Sequence, residues 1–191
     1  MTRAQGTTFR LILCLLAAGG LSARQARPEE KPPTEYELKA AFLNRFASFV
    51  TWPPAAFPEA DTPVTIGILG KDPFGEILDR AVEGETVENR RFRIIRSGTI
   101  EKLKDCHILF VCASESERTI RILDGLAGLP VLTVGEFPRF AGDGGVVNFY
   151  LDGNKVRFEI NPDAAHRAGL KISSKLLKLG KIVEDEREKR R

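Results

Sequence analysis

Two histidines, His107 and His166, and three cysteines, Cys14, Cys106 and Cys112, make up the chain's whole stock of imidazole and thiol groups. A zinc site needs three or four such ligands at short, recognisable spacings, and these five are scattered. His107 lies in the apolar run CHILFVC, residues 106–112, and reads as a strand histidine. His166 lies in a polar helical stretch and reads as a surface residue. Neither belongs to an H-E-x-x-H pattern, and the chain has no G-x-S-x-G nucleophile elbow. The sequence therefore assigns no catalytic residue, no metal ligand and no cofactor. Residues 67–75 (GILGKDPFG) follow an apolar strand pattern and precede a helical one. Open α/β sheets bind ligands at such a junction, and a helix N-terminus can hold an anion. The spacing fits neither the P-loop nor the dinucleotide fingerprint. The segment reads either as plain turn glycines or as a small-ligand crevice. That crevice would be made of Gly70, Lys71, Asp72 and Phe74, with Gly135 beside them after a later strand.

The elements that would hold these groups are legible from period and punctuation. Residues 27–33 (RPEEKPP) read as a flexible leader. Thr34 with Glu37 forms a capping-box pattern. The helix it opens is expected to run to about Trp52, where Pro53 and Pro54 stop it. Leu38, Phe42, Phe46 and Phe49 recur at helical spacing and form one stripe, core or groove. The run VTIGIL at Val64 and the run FRIIR at Phe92 read as strands, with a helix from Phe74 to Val82 between them. His107 to Cys112 is a third strand. Ser114 is expected to cap a helix from Glu115 to Leu126, and VLTV at Val131 is a fourth strand.

Further on, GGVVNFYL and KVRFEI flank Asp152-Gly153-Asn154, a strong hairpin signal. Two helices are expected after it, over residues 162–168 and 173–183. The second carries Ile172, Leu176, Leu179 and Val183 as a docking stripe. Residues 184–191 (EDEREKRR) read as a solvated, frayed tail. Strands that alternate with helices and then form a hairpin predict an α/β single domain. Its mixed β-sheet has helices on both faces and a C-terminal β-hairpin followed by two helices.

Composition sets the class. The hydrophobic share of 42% and charged share of 29% are those of an ordinary globular domain. Arg3 and Arg10 flank or precede a short apolar run at residues 11–19, and small residues follow. This reads as a secretory signal peptide, residues 1–26, with cleavage after Ala23 or Ala26, the alternative being an N-terminal membrane anchor. The apolar run is too short for a bilayer span, which needs about 20 residues, so no membrane insertion of the mature chain is expected. Cleavage after Ala23 removes Arg3 and Arg10, and the formal charge of +3 falls to +1. Cleavage after Ala26 also removes Arg24 and leaves zero. A near-neutral chain with interspersed charges is no nucleic-acid surface. Cys106 and Cys112, on one straight strand, would share a face about 20 Å apart, too far to bridge.

Two features could recognise a protein. Trp52 at the helix end either packs inward or anchors a partner, since aromatics are enriched at interfaces. The polar face of the second hairpin strand, with Lys155, Arg157 and Glu159, is either solvated or a recognition face.

Three segments, read together, resemble a known family. They are ELKAAFLNRFASFVTWP from Glu37, CHILFVCASE from Cys106, and GGVVNFYLDGNKVRFEINPDAAHRAGLKISSKLLKLGKIV from Gly144. In this order, behind a signal peptide, they are similar to the YfiR family, over residues 34–183. The resemblance implies a periplasmic α/β protein, often a homodimer, without catalytic activity. It implies a regulator that binds the periplasmic domain of an inner-membrane receptor, a diguanylate cyclase or a sensor kinase. Repressing a cyclase would lower cyclic di-GMP by stabilising one receptor state. Trp52, Glu159, Asn161 and Ile172 fall in the recurring segments, and with Arg157 they are the expected partner-binding residues. The resemblance also implies two cysteine pairs, whereas the mature chain keeps only Cys106 and Cys112.

Overall fold

Thr34 begins the first helix as its sequence requires. In the computed structural model, which describes residues 32–187, its Oγ1 accepts from the Glu37 backbone N–H, and Glu37 accepts from the Thr34 N–H in return. Two helix-end donors are thereby satisfied. The signal peptide of residues 1–26, the leader up to Lys31 and residues 188–191 lie outside the described residues.

Helix α1 (Glu35–Phe49) ends three residues before the expected Trp52. Val50–Thr51 leaves as strand β1 and pairs antiparallel with β9 (Lys171–Ile172). Val50 sits opposite Ile172, and the Ser173 N–H donates to Phe49 O at 2.9 Å. Here β-branched residues find a strand partner that the local helical pattern does not reveal.

The main sheet has eight strands. In chain order these are β2 (Val64–Leu69), β3 (Thr86–Val87), β4 (Arg90–Ser97), β5 (Ile108–Val111), β6 (Leu132–Gly135), β7 (Val147–Asp152), β8 (Lys155–Ile160) and β10 (Lys181–Ile182). Their order across the sheet is β10-β8-β7-β6-β5-β2-β4-β3. The run from β4 to β7 is parallel, and the β7–β8 hairpin and the β3–β4 pair are antiparallel. Central β2 is buried at every position, as expected of a parallel strand covered on both faces.

Two apolar layers cover the sheet. On one face α1, α2 (Glu76–Val82) and α4 (Pro162–Arg167) pack over Ile66, Ile108, Val134, Phe149 and Phe158. On the other, α3 (Thr119–Gly125) packs with Phe137 and Phe140 over Leu69, Leu109 and Val111. The fold is the mixed α/β sheet with helices on both faces that the sequence predicts. The phenylalanine stripe of α1 is core: Phe46 is fully buried and its ring lies 5.8 Å from Phe149 and 5.4 Å from Phe158.

Several expected local features change in three dimensions. Residues 113–118 form 3-10 turns, and α3 begins only at Thr119. Ser114 does not cap it; its Oγ accepts from the Lys71 N–H at 2.9 Å. The expected helix over 173–183 shrinks to α5 (Ser174–Leu177). A Cβ on Gly180 would lie 2.7 Å from Ile160 and Phe158, so the chain can close on the sheet there. Lys181–Ile182 then adds to the edge of β8 in parallel, and the Val183 N–H donates to Ile160 O. An open strand edge offers unpaired backbone groups, and these override the helical spacing. Leu176 is buried, but Leu179 is 66% exposed.

Candidate partner-binding surface

The five expected partner-binding residues fall into three settings. Arg157 and Glu159 point to the outward face of β8, away from buried Phe158 and Ile160. Antiparallel register sets Tyr150 opposite Arg157 and Asn148 opposite Glu159. Parallel register sets Lys181 of β10 beside Glu159, and their side chains meet at 3.1 Å. That hydrogen bond holds the Lys181 ammonium above its ordinary pKa. Arg157 lies 3.9 Å from Asp152. Tyr150, Arg157, Glu159 and Lys181 thus form a strip of alternating charge with one aromatic, all exposed or half-exposed.

Ile172 and Trp52 belong to the small β1–β9 ribbon instead. Ile172 is half-buried against the α1 layer. Trp52 is 8% exposed, and its Nε1–H donates to His107 O at 3.3 Å. Asn161 is fully buried: its Oδ1 accepts from the Ala164 N–H and caps α4, and its Nδ2 donates to Ala141 O and Asp185. Asn161 and Trp52 shape the surface from beneath, while Arg157 and Glu159 present side chains to it.

The expected ligand residues lie where two loops pack closely. A Cβ on Gly70 would lie 2.6 Å from Ser114 Oγ and 2.7 Å from Glu115, so the two loops already touch. Asp72 is held by Arg96 at 2.7 Å, Phe74 is buried, and Gly135 is pressed under the Phe140 ring. Lys71 is exposed. The start of α1 bridges this end of the sheet. Tyr36 meets Phe74 edge-on at 5.5 Å, and Lys39 reaches Glu136 at 2.7 Å. Four surface cavities of 260–430 Å³ among the described residues are lined by other residues.

His107 is locked by neutral hydrogen bonds. Its Nδ1 accepts from the Thr65 N–H at 3.0 Å, so its proton sits on Nε2, which donates to Ala56 O at 2.9 Å. Phe57 stacks on the imidazole at 4.3 Å, and Arg90 lies over the other ring at 4.3 Å. Such an imidazole holds a loop in place and has no free nitrogen for catalysis.

Residues 36–181 match the family described as YfiR/HmsC-like. The chain belongs to the YfiR/HmsC-like family. This is a family of regulators rather than enzymes, linked to cyclic di-GMP signalling. In this YfiR/HmsC-like chain Cys106 and Cys112 are free and buried. They do not share a face: Cys106 packs with Leu103, Leu109 and Val111, and Cys112 with Ile108 and Phe110. Regular alternation begins only at Ile108, because the Cys106 N–H closes a turn onto Leu103 O. Burial pushes both thiols up to about 12. Among the described residues no helix is long and apolar enough to cross a membrane.

Sequence reasoning missed Lys181 as the partner of Glu159, the buried Lys39–Glu136 pair, and Asp185. Only the first carried a signal, in the alternation of KVRFEI, and it required a strand where the spacing suggested a helix. Asp185 sits in a charged run and is buried at 4% exposure.

Proposed function

We propose that this chain is a periplasmic regulator, exported by a signal peptide at residues 1–26. It binds the periplasmic domain of an inner-membrane receptor and holds a diguanylate cyclase inactive, lowering cyclic di-GMP. Such repression requires only that one receptor state be bound more tightly than the other. The reading rests on family membership and on one surface, the outward strip of Tyr150, Arg157, Glu159 and Lys181. Its mixed charge suits recognition by complementary potential. Ile172 extends the contact area at the β1–β9 ribbon, and buried Trp52 and Asn161 hold the two parts in register. A homodimer is the expected solution state, and light scattering measures it.

The test is binding of the purified chain to the periplasmic domain of a membrane cyclase encoded beside it. Wild-type binding is expected, with at least a tenfold loss in the double charge reversal Arg157→Glu/Glu159→Arg. A control reversal, Glu83→Lys, at the exposed end of α2 on the other face of the sheet should bind as wild type. Equal binding by all three proteins would remove the strip from the interface. No binding by the wild type to cyclase or kinase receptor domains would remove the regulator reading itself.

A further inference from the structure

A cavity of about 360 Å³ opens between α3 and α4, lined by none of the five residues of the expected crevice. Its walls come from the end of α3, the starts of β6 and β7, and α4. Leu126, Val131, Val146 and Ala168 make its floor apolar. Small-ligand pockets have this size and this mostly apolar lining, with a few polar groups that fix orientation. Here the polar groups are two ion pairs at the rim. Arg167 of α4 binds Asp185, and Arg187 binds Asp124 at the end of α3.

Asp185 is the telling residue. Its side chain is 2% exposed and also accepts from Asn161 Nδ2 at 3.3 Å. Yet it rides on a short segment past the last strand. That segment's other holds include the Glu186 N–H on Gly142 O, the exposed Glu186–Arg139 contact and the Arg187–Asp124 pair. A guanidinium beside an apolar hole is thus covered by a carboxylate on a strap made largely of polar contacts. Arginine selects carboxylates by its planar fork. Each rim cation already has an acid, so an added anion would be buried against a balanced set, which is costly. An incoming acid is therefore accommodated by exchange rather than by addition.

We propose that this cavity binds a small monocarboxylic acid with an apolar body, whose carboxylate replaces Asp185 on Arg167 while its body fills the cavity between α3 and α4. Binding then releases residues 184–187 from α4. The strap follows β10 directly, so occupancy of the cavity is felt at the edge of the sheet. The inference stands apart from the receptor reading, because it is measured on the chain alone.

The probe is octanoate, with octanamide as its uncharged counterpart, followed by calorimetry and by hydrogen exchange of residues 184–187. About ten non-hydrogen atoms of ordinary ligand efficiency give a Kd of about 1 mM. Asp185→Asn removes the competing charge and should tighten octanoate about tenfold, the worth of one charged hydrogen bond. Arg167→Gln should weaken it at least tenfold, and octanamide should bind neither wild type nor variants. Exchange at 184–187 should rise in the wild type as octanoate binds. Octanoate binding of equal strength in wild type, Asp185→Asn and Arg167→Gln would overturn the proposal. So would equal binding of octanamide, absence of binding by a folded Asp185→Asn at 10-fold the expected Kd, or octanoate binding with unchanged exchange in the strap.

Discussion

Lys39 of α1 and Glu136, the first residue after β6, meet at 2.7 Å with side chains 5% and 6% exposed. Glu35 adds a second carboxylate at 2.5 Å, and the ammonium lies 4.7 Å over the Tyr36 ring. Burial alone would lower the lysine pKa. Hydrogen bonds to Glu136 and Glu35, with their charges, outweigh it and leave the pKa raised. The pair ties the start of α1 to the loop after β6.

Lys39→Met should destabilise the fold by about 3–5 kcal/mol, because Glu136 is then buried without its partner. Adding Glu136→Leu should recover most of that loss, since a buried pair can be replaced by apolar side chains at little cost. Urea unfolding of the two variants measures this. If the double variant is no more stable than the single one, the ion pair is not what matters at this site.

His107 should make stability fall in mild acid. Burial is the main cause holding its pKa below the usual 6.5; the hydrogen bond to Ala56 O opposes it, and the nearby charges of Arg90 and Arg93 add to it. The folded pKa is thus below the unfolded one. The neutral form's contribution is complete above about pH 6.5 and is lost as pH drops from there toward the folded pKa. Urea midpoints from pH 7.5 to 5 should decline, and the decline should shrink in His107→Asn. An identical slope in that variant would assign it to other groups.

Neither Cys106 nor Cys112 should react in the native state. With pKa values pushed up to about 12 chiefly by burial, almost no thiolate exists at pH 8, and the thiolate is the reacting form. Ellman's reagent should label neither Cys106 nor Cys112 until denaturant is added. Because the two lie on opposite sheet faces, air oxidation should leave both thiols titratable. Fast labelling of the native chain would contradict this packing.

Phe46→Ala should cost about 3–5 kcal/mol, the usual loss for a fully buried aromatic. Leu179→Ala, at a position 66% exposed, should stay within about 0.5 kcal/mol of wild type. Thermal melts of the pair test whether the α1 stripe is core. A Phe46→Ala loss as small as that of Leu179→Ala would return the stripe to the surface.

Where short-range physics decides, the sequence alone was enough. Thr34 and Glu37 cap α1, Gly153 turns the hairpin at φ 58°, and Val64–Leu69 makes a buried central strand. Each depends on groups within a few residues of one another. The family resemblance was legible for a related reason: it lies in contiguous segments. The placements that went differently all hinge on a distant partner. Val50–Thr51 left the helix for Lys171–Ile172, Lys181–Ile182 left a helical pattern for the edge of β8, and Asp185 left a charged tail for Arg167. A backbone edge or a buried carboxylate gains more from such a partner than a few residues gain from local helix propensity. The sequence by itself determined the class of elements, their order and which stripes were apolar. Only the tertiary structure decided which residues share a surface, because that depends on groups the chain brings together from well beyond a helical turn, from Asp185 and Arg167 to Val50 and Ile172.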